Sequence, residues 1–339
     1  MKRLCLFAGY SPDGKVEDYV MHYFRELSKF ADIYYQAAND MGEGELRKLD
    51  SITLGSWAQA HEKYDFGSWQ KLIFRLGWRE IEKYDVLILA NDSNFGPVGD
   101  LSTMFVRMGG AGLDAWGITE NYGEARHLQS YFSVFGRPVV NSLAFRDFFE
   151  SIGIEKSKLD ICLKYEIGLS KLLAANGFSF GTFVDRAALD VPFHADIARY
   201  QNTLLEWGSP FDKRKVFAQH DFASEDVAQT RTLLQEANYP LEWLPLQPSR
   251  SPAIVEGVVV AREGLAVASA DTTGDVPHGA NSVPKRSLLR SGIKRMLFPL
   301  YRPIKVRIVD RLAQIENRVS ELAGKTEKIG TDVEAPQSK

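Results

Sequence analysis

The strongest local signal in the sequence is Asn91-Asp92-Ser93-Asn94, which follows the apolar run Leu87-Ile88-Leu89-Ala90 and leads into Phe95-Gly96-Pro97. An Asp at the end of a buried strand stands where a divalent cation or a sugar hydroxyl can be held, because hard oxygen ligands suit Mg2+ or Mn2+. The same residues can equally form a turn in which Asn91 and Asp92 cap backbone groups. A second group, Tyr64-Asp65-Phe66-Gly67-Ser68-Trp69, precedes a helical pattern. There Asp65 is either an N-cap or a carboxylate that grips a nucleotide's base or ribose between aromatic walls. A third group joins Trp116 to His127, Gln129 and Tyr131. A flat ring covers a sugar's C–H face while amide and imidazole groups bind its hydroxyls, although a lone His beside a strand is usually structural. The fourth group is Lys164-Tyr165-Glu166, opening an amphipathic helix. Glu166 is favoured in a first turn by the helix dipole, and it is a general base if that turn faces a cleft.

These residues need a scaffold, and the apolar pattern supplies one. Leu4 to Ala8 reads as a buried strand, and Asp13-Gly14 turns into a helix carrying Val20, Tyr23, Phe24, Leu27 and Phe30. Ile33 to Tyr35 and Ile52 to Trp57 predict further strands, with a polar helix near Glu43 to Leu49 between them. Trp69, Leu72, Ile73 and Leu76 mark a helix, and Tyr84 to Ala90 is the best buried strand. Strands alternating with helices predict an α/β domain with a mainly parallel sheet flanked by helices. Ligands in such sheets collect beyond the carboxyl ends of the strands, which selects the loops Gly9 to Gly14 and Asn91 to Gly99.

Composition bounds the rest. A chain of 339 residues has room for two domains, or for one large domain with an appendage. No run approaches the roughly 20 apolar residues of a spanning helix, and Met1-Lys2-Arg3 is expected to lead into a first strand rather than a signal peptide. With 41 Lys plus Arg against 44 Asp plus Glu, the net charge of -3 gives no reason to expect nucleic acid. Two cysteines, Cys5 and Cys162, make neither a disulfide framework nor a zinc cluster, and a reducing cytoplasm is expected. The pattern predicts a catalytic domain over 1–250 and a linker over 251–284, rich in turn formers. A basic amphipathic helical tail follows over 285–329, and 330–339 are expected to be disordered. Basic residues of 285–311 interleaved with apolar ones suit an anionic membrane surface, and the spacing over 308–322 suits a coiled-coil seam and an oligomer. A helix packed on the catalytic domain fits the same tail.

Taken in order, Gly-Tyr-Ser-Pro-Asp-Gly, Tyr-Asp-Phe-Gly-Ser-Trp, Asn-Asp-Ser-Asn-Phe-Gly-Pro, Trp-Gly-Ile-Thr, His-Leu-Gln-Ser-Tyr-Phe and Tyr-Glu-Ile-Gly-Leu resemble the rhamnan synthesis protein F family over roughly residues 3 to 220. The resemblance implies a GT-A-like (Rossmann-like) glycosyltransferase that is inverting and uses a nucleotide-sugar donor, dTDP-L-rhamnose or another hexose or deoxysugar. It implies a lipid-linked oligosaccharide or polysaccharide acceptor, as in O-antigen and lipopolysaccharide synthesis, at the inner face of the cytoplasmic membrane. A noncatalytic glycan-binding or scaffold subunit is the reading from another class. The nucleotide sugar would meet Gly9, Tyr10, Asp13, Asp65, Asn91 and Ser93, with Asp92 as ligand of a divalent cation, Mg2+ or Mn2+. Glu166 would be the base, and Trp116, His127, Gln129 and Tyr131 would hold the acceptor or donor sugar. The chain departs from the family pattern in having one carboxylate in Asn91-Asp92-Ser93, and in placing His61 and Lys63 before Tyr64.

Overall fold

The structure is a computed structural model that describes residues 1–189, 191, 196–218 and 224–245. The expected linker (251–284), the basic tail (285–329) with its membrane and coiled-coil readings, and the stretch 330–339 lie outside the described residues. The strands are β1 (Arg3–Gly9), β2 (Asp32–Ala37), β3 (Gly55–Ala58), β4 (Val86–Asn91), β5 (Asn94–Phe95), β6 (Ala115–Gly117), β7 (Glu120–Asn121), β8 (His127–Leu128), β9 (Phe132–Gly136), β10 (Phe180–Thr182) and β11 (Asp212–Lys213). The first helices are α1 (Asp18–Ser28), α2 (Glu43–Arg47) and α3 (Tyr64–Leu76).

Seven strands form one sheet in the order β10-β6-β9-β4-β1-β2-β3. β1 pairs in parallel with β2 and β4, and β2 with β3, while β9 runs antiparallel to both β4 and β6. β10 pairs in parallel with β6, so within this sheet β9 alone is reversed. The α/β reading of the sequence holds. The strand expected at Ile52 to Trp57 forms later, at Gly55–Ala58, because the Ile52 and Thr53 amides first bond back to Leu49 and close a turn.

Both faces of the sheet are buried, and the period of two in the strands sorts residues between them. Cys5 and Phe7 of β1 with Ile88 and Ala90 of β4 face α1, where they join Tyr19, Val20, Tyr23, Phe24 and Leu27. Leu4, Leu6 and Ala8 with Leu87 and Leu89 face the other way, onto Phe66, Trp69, Leu72 and Ile73 of α3. Each such side chain removed from water contributes about 1.5–3 kcal/mol, which makes the β1–β4 pair the rigid centre. Because β9 is reversed, its N-terminal end lies beside the carboxyl ends of β1 and β4, and the Asn91 amide bonds to the Tyr131 carbonyl at 3.2 Å. Residues 129–131 are thereby delivered to the edge of the sheet where the acidic loop begins.

Two glycines are required by close approach. An added Cβ at Gly9 would stand 2.3 Å from the Tyr35 hydroxyl, and one at Gly96, where φ is +140°, would stand 2.5 Å from the Pro210 carbonyl. The Gly9 contact sits at the mouth of the site, and Gly9→Ala is expected to lower stability by about 1–3 kcal/mol as an overpacking change. Urea unfolding measures it, with Gly9→Ala/Tyr35→Leu expected to recover part of the loss. An unchanged midpoint in the single variant would refute the close approach.

Candidate active site

Asp92 is the first residue after β4 and is almost wholly buried. Its Oδ2 accepts the Tyr10 amide at 2.7 Å, which ties the end of β4 to the loop after β1. Its main-chain carbonyl accepts the Arg214 guanidinium at 3.1 Å and the Tyr19 hydroxyl at 3.3 Å. Burial pushes the carboxyl up to about 7; the Tyr10 amide and Arg214 hold it back, and Asp65 adds to the rise. Tyr10, Asp13, Lys15, Tyr35, Asp92 and Arg214 line a crevice of about 180 Å³. That is less than the roughly 300–1,000 Å³ of ordinary ligand pockets, and suits a phosphate-bearing portion of a ligand rather than a whole nucleotide sugar.

Asn91 joins this crevice to a second group of charges. Its Nδ2 donates to Asp65 Oδ2 at 2.8 Å, while its Oδ1 accepts the Ser93 amide at 3.1 Å and the Ser93 hydroxyl at 2.6 Å. Asp65 is therefore not an N-cap: Lys63 holds that position with no side-chain cap, and Asp65 lies inside the first turn. Tyr64, just before it, has a φ of +52°, a left-handed backbone that costs a non-glycine residue about 1–2 kcal/mol. The α3 start is bolted down by Lys63 Nζ, at 2.8 Å from both Gln70 Oε1 and the Ile152 carbonyl. His61 bonds to Ser68 Oγ at 3.1 Å, and burial, then Lys71 and Lys63, pull its pKa down to about 4. These two departures from the family pattern thus hold the helix. Burial pushes Asp65 up to about 6, opposed by Lys158 and the Asn91 bond, reinforced by Glu166 and opposed again by Lys213.

Glu166 does not open a helix, contrary to the sequence expectation. It ends a π-helical turn, Cys162–Glu166, inserted between Lys158–Ile161 and Ile167–Ala175. Such turns re-aim side chains within a continuous helix. Glu166 Oε1 accepts the Ser130 amide at 2.8 Å and the Ser130 hydroxyl at 3.1 Å, and Oε2 lies 3.3 Å from the Cys162 thiol. Asp65 thus feels both Asp92 and Glu166 across the end of the sheet, yet only Asp92 lines the crevice.

The remaining predicted residues divide. Gln129 is half-buried with Oε1 2.7 Å from Thr119 Oγ1, whereas Tyr131 is 4% exposed, its hydroxyl 2.8 Å from the same Thr119 oxygen and its ring under Lys213, so it offers no face to a sugar. Trp116 and His127 do not offer a face to a sugar. Trp116 is 6% exposed and packs on Phe105 and Phe132, and His127 is 5% exposed with Nδ1 2.7 Å from the Ala125 carbonyl. The carbohydrate-surface expectation is corrected for these three, because packing and hydrogen bonds consume the groups that would touch a ligand.

Sequence reasoning missed the site's cations. β11 pairs antiparallel with β5, and the Arg214 amide bonds to the Ser93 carbonyl at 3.2 Å, which lays Asp212-Lys213-Arg214 along the acidic loop. Arg214 stacks over Tyr19 at 4.7 Å, and Lys213 Nζ stands 3.8 Å above the Tyr131 ring. Burial pulls Lys213 down to about 8; Glu166, Asp196 and Asp65 resist, while Lys215 adds to the fall. The available signal was four consecutive charges, Asp212-Lys213-Arg214-Lys215, directly after the apolar turn Ser209-Pro210-Phe211.

The expectation of a divalent cation on Asp92 meets an unsuitable donor set. Among the described residues no group of three His, Cys, Asp or Glu side chains converges to hold a metal ion. Asp92 Oδ2 accepts an amide, the Asn91 oxygen accepts Ser93, and the charged group beside Asp92 is the Arg214 guanidinium. These residues do not fit a protein-built Mg2+ or Mn2+ site.

Asp212 is fully buried and, among the described residues, neither carboxylate oxygen meets a hydrogen-bond partner. Burial pushes it up to about 7, with its neighbour Lys213 holding it back. In an unfolded chain Asp titrates near 3.9, so between about pH 4 and 7 the folded protein keeps a proton that the unfolded chain has lost. Stability must then fall as pH rises through this window. Asp212→Asn is expected to flatten the fall and to raise stability at pH 8 by about 1–3 kcal/mol. Urea midpoints at pH 5 and pH 8 test this, and parallel declines in variant and wild type would rule it out.

Residues 38–261 match the model of rhamnan synthesis protein F, a span of more than half the chain. An uncharacterized protein, y4gN, of Sinorhizobium fredii (strain NBRC 101917 / NGR234) is 25% identical over 177 residues, covering 51% of this chain and 46% of that protein. The match thus spans about half the length of this curated relative. Among solved structures, a cytidylyltransferase from Leptospira borgpetersenii is 10% identical with a TM-score of 0.36, covering 70% of this chain and 96% of that one. The glycosyltransferase GlyE of Streptococcus pneumoniae is 13% identical with a TM-score of 0.38, covering 70% and 65%. Core-mannan synthase A of Aspergillus fumigatus, in its Mn/GDP form, is 9% identical with a TM-score of 0.33, covering 53% and 72%. By the family match, this chain belongs to the rhamnan synthesis protein F family.

Proposed function

We propose that this protein is an inverting glycosyltransferase that moves a sugar from a nucleotide-activated donor, dTDP-L-rhamnose, onto a growing cell-envelope polysaccharide. The observation that carries the reading is the gathering of Asp65, Asp92 and Glu166 beyond the carboxyl ends of β1 and β4, in a chain of the rhamnan synthesis family. This is where open α/β sheets bind nucleotide ligands. In the proposed arrangement the nucleotide lies over the loop Gly9 to Gly14, against exposed Tyr10 and Asp13, with its diphosphate entering the crevice beside Asn91 and Ser93. Gln129 borders the sugar, while Tyr131, Trp116 and His127 support the wall from behind. No described helix is long and apolar enough to cross a membrane.

The transfer step follows from Glu166. The acceptor hydroxyl gives its proton to this carboxylate as its oxygen bonds to the anomeric carbon. The anomeric carbon–oxygen bond to the diphosphate breaks, its electrons leave with the nucleoside diphosphate, and the configuration inverts. Ser130 supports the role by fixing Oε1 through two donors, so the base is oriented before the acceptor arrives. Each carboxylate oxygen retains further lone-pair capacity for the incoming proton. Asp65 and Asn91 hold the loop that carries Asp92 and Ser93.

Glu166→Gln keeps the shape and the Ser130 contacts but removes the base. Transfer is expected to fall by about 10²–10⁴-fold. Calorimetric affinity for dTDP-L-rhamnose is expected to remain close to wild type. Retained turnover would remove Glu166 from the mechanism.

A further inference from the structure

We propose that Lys213 and Arg214 together hold the donor's diphosphate, so that this protein binds a nucleoside diphosphate without a divalent cation. The inference rests on the nucleotide-sugar reading above and adds which groups meet the donor's charge. A diphosphate brings at least two negative charges to a region that already contains Asp65, Asp92 and Glu166. Like charges brought together at a protein surface repel, so the ligand needs positive charge at the same place. The carboxylates do not recruit it as a metal ion by themselves, since among the described residues no three His, Cys, Asp or Glu side chains converge on one point.

The cations are placed for the task. Arg214 lines the crevice with Tyr10 and Asp13. Its backbone is pinned to Ser93, its guanidinium to the Asp92 carbonyl, and its plane to the Tyr19 ring. One of its five N–H donors is used in that carbonyl contact, which leaves others for a phosphate oxygen. Lys213 is half-buried, and among the described residues its ammonium has neither a hydrogen-bond acceptor nor an ion-pair partner. A lysine in that state, standing over an aromatic ring, keeps three donors for an anion. Lys213 ends β11 and Arg214 follows it, and their side chains part: Arg214 goes to the Asp92 carbonyl and the Tyr19 ring, Lys213 to the Tyr131 ring. Arg214 serves the crevice, and Lys213 serves the side facing Asp65 and Glu166, where the phosphate bearing the sugar would lie. This supplies the fixed positive charge that stabilises a departing diphosphate.

The test is calorimetry with dTDP, UDP, GDP and CDP, in EDTA and in Mn2+, on wild type, Lys213→Met, Lys213→Arg and Arg214→Met. Lys213→Met keeps the length and the ring contact and breaks no hydrogen bond, so its fold is expected to survive; urea midpoints check every variant. The expected result is one nucleoside diphosphate binding equally well in EDTA and Mn2+. Lys213→Met should then bind about tenfold or more weakly, and Lys213→Arg should recover most of the loss. Binding that requires Mn2+, or unchanged binding by Lys213→Met, overturns this inference and leaves the transferase reading standing. If none of the four nucleotides binds in either condition, both readings fall.

Discussion

Asn91 makes four hydrogen bonds to three residues, and the rest of the site is built outward from those bonds. Its main-chain amide reaches the Tyr131 carbonyl, its side-chain amide reaches Asp65 on α3, and its side-chain oxygen takes both the amide and the hydroxyl of Ser93. The contacts therefore join the central parallel strand, the helix on one face of the sheet, the reversed strand on its flank, and the loop that carries Asp92. A buried carboxamide with all of these partners present fixes geometry well; with one missing it leaves an unsatisfied polar group costing about 1–3 kcal/mol. The same bond count explains why Asp65 faces inward from the first turn of α3, where an Asp commonly turns back to cap the helix.

Around this junction the protein keeps charges where water would lower their energy. Asp92 and Asp212 are buried, Asp65 and Lys213 are shifted in the directions that burial dictates, and each acid has risen toward neutrality. The aromatic residues repay part of that cost. The Arg214 guanidinium lies 4.7 Å from the Tyr19 ring and 5.9 Å from the Phe95 ring, and Tyr131 underlies Lys213, so each cation meets a ring in addition to distant carboxylates. An arrangement with unfilled hydrogen-bond capacity on its cations and unpaired carboxyl oxygens is less stable than an apolar equivalent. It persists where binding a charged ligand completes it.

Much of the scaffold was legible from the sequence because the strands are buried on both faces. Leu4 to Ala8 and Leu87 to Ala90 are apolar without interruption, a pattern that water excludes from almost any other fate, and the loops at their carboxyl ends followed from topology. The errors have local causes. Glu166 read as a helix start because a π-helical turn cannot be seen in the spacing of Leu169, Leu172 and Leu173. Trp116 and His127 have the chemistry of a sugar platform, but only the packing of Phe105 and Phe132 and the carbonyl of Ala125 reveal that their functional faces are used up. Lys213 and Arg214 were invisible for another reason. Their partners, Ser93 and Asn94, lie more than a hundred residues earlier, and a two-residue strand leaves no periodicity to read.

That long separation also says which part of the chain completes the site. The segment after Ser209 reaches the acidic loop only because Phe211 packs among Tyr23, Tyr131 and Phe132, and because Gly96 leaves room for the Pro210 carbonyl. The Tyr239 hydroxyl then accepts the Gly96 amide at 3.1 Å, so the segment beyond helix Ser224–Glu236 also clamps the same loop. Contacts of such large sequence separation cost the most chain entropy to close, so the cationic half is the part of the site that depends most on the fold being complete.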